Sequence, residues 1–334
     1  MFGKRLIKSN DEGGGASFNT VTYTGNGSTQ SIGGVGFQPD LVWIKSRSAA
    51  TSHKFTDVVR GTTKGVASNT TAAGTTDANG LTAFGSDGFT LGTDSVYNNS
   101  GATYVAWCFK AGGAAVTNTD GSITSEVSAN VDAGFSVVKY TGNGIYPSSI
   151  GHGLNATPNI VINKNTTGVV NWHIYSSMLG YTSSLVLNQA ASTYTGITDW
   201  GSSPDSSLFY VNAHVTNGSG STYISYCFAE KAGFSKFGSY SGNGSDTGPT
   251  VTTDFEPAFV MIKRTDSTGN WVILDNKRDT SNPIDKTLNP NLLAAESTAN
   301  DIDFNATTFQ LKSTNADTNA NTATYIYMAF ANQF

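Results

Sequence analysis

The sequence predicts an all-β protein of three tandem antiparallel β-sandwich-like repeats behind a short N-terminal arm. Three observations carry this: ordered anchors that recur three times, turn signals every 8–12 residues or so, and no long segment with the 3.6-residue period of a helix. The 334 residues exceed by two to three times the common domain size of about 100–150, so several units are expected.

The first anchor is Tyr23-Thr24-Gly25-Asn26-Gly27, repeated as Tyr140-Thr141-Gly142-Asn143-Gly144 and Tyr240-Ser241-Gly242-Asn243-Gly244. Next comes a proline leading an apolar run that ends in lysine: Pro39 to Lys45, Pro158 to Lys164 and Pro257 to Lys263. A lone phenylalanine follows (Phe89, Phe209, Phe309), and then a terminal strand opened by Tyr104, Tyr223 or Tyr325. These anchors divide the chain into an arm at 1–17, repeats at 18–112, 134–232 and 233–334, and a linker at 113–133. The linker, rich in Gly, Ala, Ser, Thr and Asn, is expected to be an extended, partly ordered connector.

Within each repeat, Asn-Gly is read as a tight type I′ hairpin, whose two central residues need positive φ. In Leu41-Val42-Trp43-Ile44-Lys45 apolar residues occupy both parities, so both faces of that strand should be covered. The same holds for Tyr104 to Phe109, where Val105, Trp107 and Phe109 point one way and Tyr104, Ala106 and Cys108 the other. Trp43, Ile162 and Met261 should occupy equivalent core positions. A short helix is expected at 292–296.

The composition excludes several function classes. A net charge of −5 and a pI near 5.3 supply no field for phosphate backbones, so nucleic acid is not an expected partner. No apolar run reaches the 18 residues of a membrane span, and the opening Met1 to Asn10 lacks a secretory signal's apolar stretch, so neither membrane insertion nor signal-led export is expected.

Catalytic and metal-binding patterns are also missing from the sequence. His53, His152, His173 and His214 fall at non-equivalent repeat positions without metal-ligand spacing, so no metal and no cofactor are expected. Cys108 and Cys227 share one repeat position, where the third repeat has Ala329, which suits a small buried group rather than a disulfide. Gly33-Gly34-Val35-Gly36 has no following helix to make a phosphate cradle. Asp57 and Arg60 recur as Asp275 and Arg278, with Tyr175 and Met178 read as their counterparts in the second repeat, so a structural ion pair is preferred to a catalytic one. Lys45, Lys164 and Lys263 are read as strand-end lysines with solvated heads. No catalytic residue is assigned, and an enzyme is not expected.

Together the segments Val21 to Gly27, Phe37 to Lys45, Tyr104 to Gly113, Thr117 to Thr124 and Phe259 to Asp266 resemble a repeat-domain family of marine bacteriophage structural and tail-fibre proteins, over nearly the whole chain. The opening Phe2-Gly3-Lys4-Arg5-Leu6-Ile7 is similar to the start of such proteins. The resemblance implies a virion structural protein, a tail fibre or receptor-contacting protein first and a capsid decoration or head-fibre protein as the alternative, with a polysaccharide-degrading enzyme a distant third. Phe2, Lys4, Arg5, Leu6 and Ile7 would dock to other tail or capsid proteins, their apolar side chains filling a groove while the cations pair at its rim. A host surface glycan or protein is the further expected partner, with a homo-oligomer, trimer favoured, as the assembly; no receptor-binding residue is assigned.

Overall fold

A computed structural model describes residues 16–332 of the chain. The fold is all-β, with multiple antiparallel sheets and only three four-residue helices among the described residues. Each repeat builds its main sheet from the same four strands in the same order. The opening strand (Phe18–Thr24, Phe135–Thr141, Ser235–Ser241) pairs with the terminal strand (Thr103–Phe109, Thr222–Phe228, Thr324–Phe330). The terminal strand pairs on its other side with the central strand (Leu41–Ser46, Ile160–Asn165, Phe259–Arg264), and that with a fourth (Lys54–Asp57, Trp172–Ser176, Val272–Asp275). A small second sheet of two or three strands lies apart from each main sheet and carries Phe89, Phe209 or Phe309.

Register confirms the equivalences. Trp43, Ile162 and Met261 stand opposite Trp107, Tyr226 and Met328, and all are buried. Between the opening and terminal strands, Tyr23–Tyr104, Tyr140–Tyr223 and Tyr240–Tyr325 stack with ring centroids 5.0 Å apart in every repeat.

Both faces of each main sheet are apolar, and two different partners cover them. One face packs with the repeat's own small sheet around Tyr104, Ala106 and Cys108 in the first repeat, and around their counterparts in the others. The opposite faces of all three main sheets meet in one shared core, which takes Val105, Trp107 and Phe109 with Ile224, Tyr226 and Phe228 and with Ile326, Met328 and Phe330. At its centre Phe109, Phe228 and Phe330 form a triangle with centroid separations of 5.7, 5.3 and 5.8 Å. The repeats therefore close a threefold ring.

Three local expectations are corrected. The 113–133 connector contains two strands, Val116–Asn118 and Ser125–Asn130, which extend the second main sheet beyond Phe135–Thr141. Its sparse apolar residues suffice because only a few of them, Ile123 and Val127 beside the second repeat's small sheet and Ala133 in the shared core, must be buried. Residues 292–296 form no helix; the short helices are Ser95–Asn98, His214–Asn217 and Ala316–Asn319, one before each terminal strand.

The Gly-Asn-Gly turns are not type I′ hairpins, since Gly27, Gly144 and Gly244 have positive φ but the asparagines do not. Each turn instead carries the chain from one sheet to the other and is held by the buried asparagine that ends the short helix. Asn98, Asn217 and Asn319 accept the backbone N–H of Asn26, Asn143 and Asn243 at 2.9 Å, and their amides donate to the carbonyls of Ser28, Ile145 and Ser245. The glycine before the asparagine is required: a Cβ on Gly25, Gly142 or Gly242 would lie 2.2–2.4 Å from a carbonyl oxygen of the facing loop.

Because one core serves all three repeats, the protein should melt as a unit. Replacing Phe228 by Ala should cost about 3–5 kcal/mol, as for other large-to-small changes in a packed core, and should lower one calorimetric transition as a whole. Three separable transitions, with only one displaced, would contradict the shared core.

Candidate functional site

The recurring polar residues gather at the three seams between repeats. Lys45, Lys164 and Lys263, expected to hold their heads in water, are fully buried. They stand where the central strand's side chains alternate into the shared core, so the ammonium emerges at a seam. Each donates to a backbone carbonyl of the next repeat round the ring: Lys164 to Thr71 at 2.8 Å, Lys263 to Ala190 at 3.1 Å and Lys45 to Leu293 at 3.2 Å. Each also donates to a carbonyl nearby in its own repeat, Val170, Gly269 or Ser46. Burial, the largest cause, pushes all three ammonium pKa values down to about 8.

Indole donors make a second joint. Trp172 Nε1 donates to the Ala67 carbonyl at 2.9 Å and Trp271 Nε1 to that of Val186 at 3.0 Å. The equivalent residue in the first repeat is His53, whose Nδ1 accepts from Trp43 Nε1. Burial and then Lys45 hold the His53 pKa well below its usual value, so the ring is a neutral core group. At that seam His53 meets the Asn289 backbone, and Ser68 donates to the Pro290 carbonyl beside it.

The Asp/Arg pairs belong to the same seams. Arg60 Nε meets Asp57 Oδ2, and Arg278 Nε meets Asp275 Oδ2, each at 2.6 Å with side chains almost or wholly buried. The same carboxylates take a donor from another repeat's terminal strand: Tyr226 OH donates to Asp57 at 2.9 Å and Trp107 Nε1 to Asp275 at 2.9 Å. By strand register the second-repeat counterparts are Ser176 and Leu179 rather than Tyr175 and Met178. The terminal-strand residue that corresponds to Tyr226 and Trp107 in the third repeat is Met328, which has no proton to give. Where the donor is missing, the buried acid is missing too.

The other sequence-predicted features resolve as structure. Cys108 and Cys227 are both free and buried, and burial raises both thiol pKa values. No group of three or more His, Cys, Asp or Glu that could hold a metal occurs among the described residues. The Gly33 to Gly36 loop does bind a carboxylate, that of Asp87, through the Gly34 and Gly36 N–H groups. Phe2, Lys4, Arg5, Leu6 and Ile7 lie outside the described residues.

Two clefts open at the borders of the first repeat. The larger, about 610 Å³, lies where the linker crosses it and is lined by Gln38, Asp40, Lys110 and residues 129–132 among others. Burial raises the Asp40 pKa against the backbone bonds it accepts from Gly113 and Ala111, which make it a cap for that turn. Asn159 accepts from Glu230 N–H in the same way in the second repeat. The smaller, about 260 Å³, lies on the seam between the first two repeats and is lined by Arg60, Lys64, Gly74, Thr75, Thr76, Lys139 and Thr166. Nothing in the recurring motifs marked this second cleft, because Lys64 and Lys139 belong to one repeat each.

A family model described as a domain of unknown function (DUF7483) matches residues 14–333 and so runs through all three repeats. No curated protein and no solved structure matches.

The lysines make stability depend on pH in a defined direction. Between about pH 8 and the ordinary 10.5, the unfolded chain binds more protons than the native one, so stability should rise with pH. Above 10 the buried tyrosines, whose pKa values burial raises, act oppositely. Cys108 and Cys227, whose thiol pKa values burial raises, oppose the lysines from about pH 8.5 upward. The melting temperature should still climb from pH 7.5 to 9.5, since three lysines outweigh two thiols, and the climb should shrink with each lysine replaced by Met. A flat or falling profile would show that the buried ammonium groups are not titrating in this window.

Proposed function

We propose, for a chain that belongs to the DUF7483 family of domains of unknown function, that it serves as a bacteriophage virion structural protein. Its role is that of a tail fibre or other receptor-contacting protein held to the particle by its N-terminal arm, where Phe2, Lys4, Arg5, Leu6 and Ile7 engage tail or capsid proteins. The observation that carries this reading is where the polar residues are spent. The buried acids Asp57 and Asp275, three buried lysines and two indole N–H groups all tie one repeat to the next. A ring closed in this way suits a durable exposed body. The same residues give no support to hydrolysis, since the best-buried carboxylates are each committed to a guanidinium and a neighbouring donor.

The resemblance to phage structural proteins supports the virion location and the self-association, a trimer being favoured. A capsid decoration or head-fibre role makes the same use of arm and body and differs only in position on the particle. Deleting residues 2–12 should leave the melting transition of the ring intact while abolishing incorporation into particles. Normal incorporation of the truncated protein would refute docking through the arm, and an image of labelled virions separates tail from capsid.

A further inference from the structure

The three seams repeat the same backbone joint, and comparison of the residues at that joint identifies what the small basic cleft can hold. At the seam between the third and first repeats, Glu296 N–H donates to the Arg47 carbonyl at 2.8 Å; between the first and second, Gly74 N–H donates to the Thr166 carbonyl at 2.8 Å. Between the second and third, Thr193 N–H donates to the Thr265 carbonyl. Glu296, Gly74 and Thr193 thus occupy one position of the ring.

The Glu296 carboxylate is gripped by two guanidiniums. Arg47 reaches it through Nε at 2.9 Å and Nη2 at 2.8 Å, and Arg278 through Nη1 at 3.1 Å. Arg60 is the counterpart of Arg278 and makes the same bonds to its aspartate and to the backbone carbonyl of Phe55 or Ile273, and its Nη2 also donates to the Tyr226 hydroxyl at 3.3 Å. Its Nη1, however, meets no acceptor comparable to Glu296, because glycine stands at that position. The space there is the 260 Å³ cleft, to which Lys64 and Lys139 add two cations and Thr75, Thr76 and Thr166 add side-chain hydroxyls, with no carboxylate in its lining. Lys64 donates to the Thr76 hydroxyl. Neither lysine has an ion pair among the described residues; Glu126, opposite Lys139 on the ladder, takes the Thr117 hydroxyl instead. The corresponding residues at the seam between the second and third repeats, Leu179, Ser183 and Ser239, carry no charge.

We propose that this cleft is a binding site for a carboxylate-bearing ligand, the acid taking up beside Arg60 the place that Glu296 takes beside Arg278. At 260 Å³ it is smaller than the roughly 300–1,000 Å³ of drug-sized sites and accepts one small unit. The Thr75 and Thr166 hydroxyls donate to the Gly65 and Thr222 carbonyls and Thr76 accepts from Lys64, which leaves the threonine oxygens beside the cations as acceptors for the hydroxyl protons of a sugar, so the ligand is a single uronic-acid residue of an acidic glycan. This deepens the receptor-contacting reading and rests on it for the identity of the glycan's source, but the binding itself is measured apart from any particle.

The test is calorimetric titration of the purified full chain at low salt with glucuronate, glucose and acetate. Three substitutions are copied from the chain's own repeats: Gly74→Glu, Lys64→Ser and Lys139→Ser. Gly74 has no positive φ, and a Cβ there would lie 3.3 Å from the Thr166 carbonyl oxygen, so a side chain fits once that contact gives by a few tenths of an ångström; the melting transition of Gly74→Glu checks that it does. Glucuronate should bind, weaken as salt is added, and lose about tenfold in affinity with either lysine substitution, as for loss of a charge-assisted bond. Gly74→Glu should abolish binding while leaving the melting transition in place, because it supplies the acid from within. Glucuronate that fails to bind, or binds equally to all three variants, would overturn the site. Acetate binding as tightly as glucuronate, or glucose binding as well, would overturn the assignment to an acidic sugar.

Discussion

Each main sheet has two apolar faces and only one small sheet of its own to cover them, and the rest of the architecture follows from that shortage. A repeat standing alone would expose the face bearing Trp107 and Phe109, or their counterparts, to water. Three repeats solve the problem for one another by turning those faces inward, where Phe109, Phe228 and Phe330 meet. At about 25 cal/mol per Å² of apolar surface, such burial is the dominant force closing the ring. The lysine, tryptophan and aspartate joints then follow as a requirement, since polar backbone sealed at the seams must find partners or lose about 1–3 kcal/mol per group.

The backbone is threefold but the chemistry is not. Asp57 meets Tyr226 and Asp275 meets Trp107, while the remaining joint pairs a donorless Met328 with a repeat that carries Ser176 and Leu179. An aspartate beside Met328 would be a buried acid short of a donor, and a tryptophan there would bury an unpaired N–H. The differences among the repeats are therefore matched across seams rather than within repeats. The same matching accounts for Glu296: the seam that supplies its own acid brings two arginines to it, and the seam with glycine brings lysines to an open cleft.

Much of the fold was legible because it depends on local rules. The anchors Tyr-Thr/Ser-Gly-Asn-Gly and the terminal strands repeat, and Trp43, Ile162 and Met261 do fall at one register. Cys108, Cys227 and Ala329 likewise share a buried position, read correctly from the tolerance for Cys or Ala. Even the doubly covered sheet was visible, in the two-parity apolar strands. The turn was misread because Asn-Gly has a strong hairpin preference, which the buried Asn98 and its counterparts override from more than 70 residues away. The linker strands were missed because Ser125–Asn130 sends only Val127 fully into a core and is otherwise held by ladder bonds to Phe135–Thr141 and Val116–Asn118, and the outer of the two strands buries no apolar residue at all.

The repeat could be read from the residues alone: its main strands, the phenylalanines at equivalent core positions and the apolar surplus on both faces, but not the order in which the strands pair. These rest on period-two alternation and on small residues at tight approaches, which each segment carries within itself. What covers the second face, where three lysines put their charge and which acids meet which donors were settled by the closing of the ring. Those are contacts between residues one or two repeats apart. A strand-end lysine looks the same in sequence whether water or a neighbour's carbonyl receives it, because the receiving group is chosen by ring closure and not by anything in its own strand.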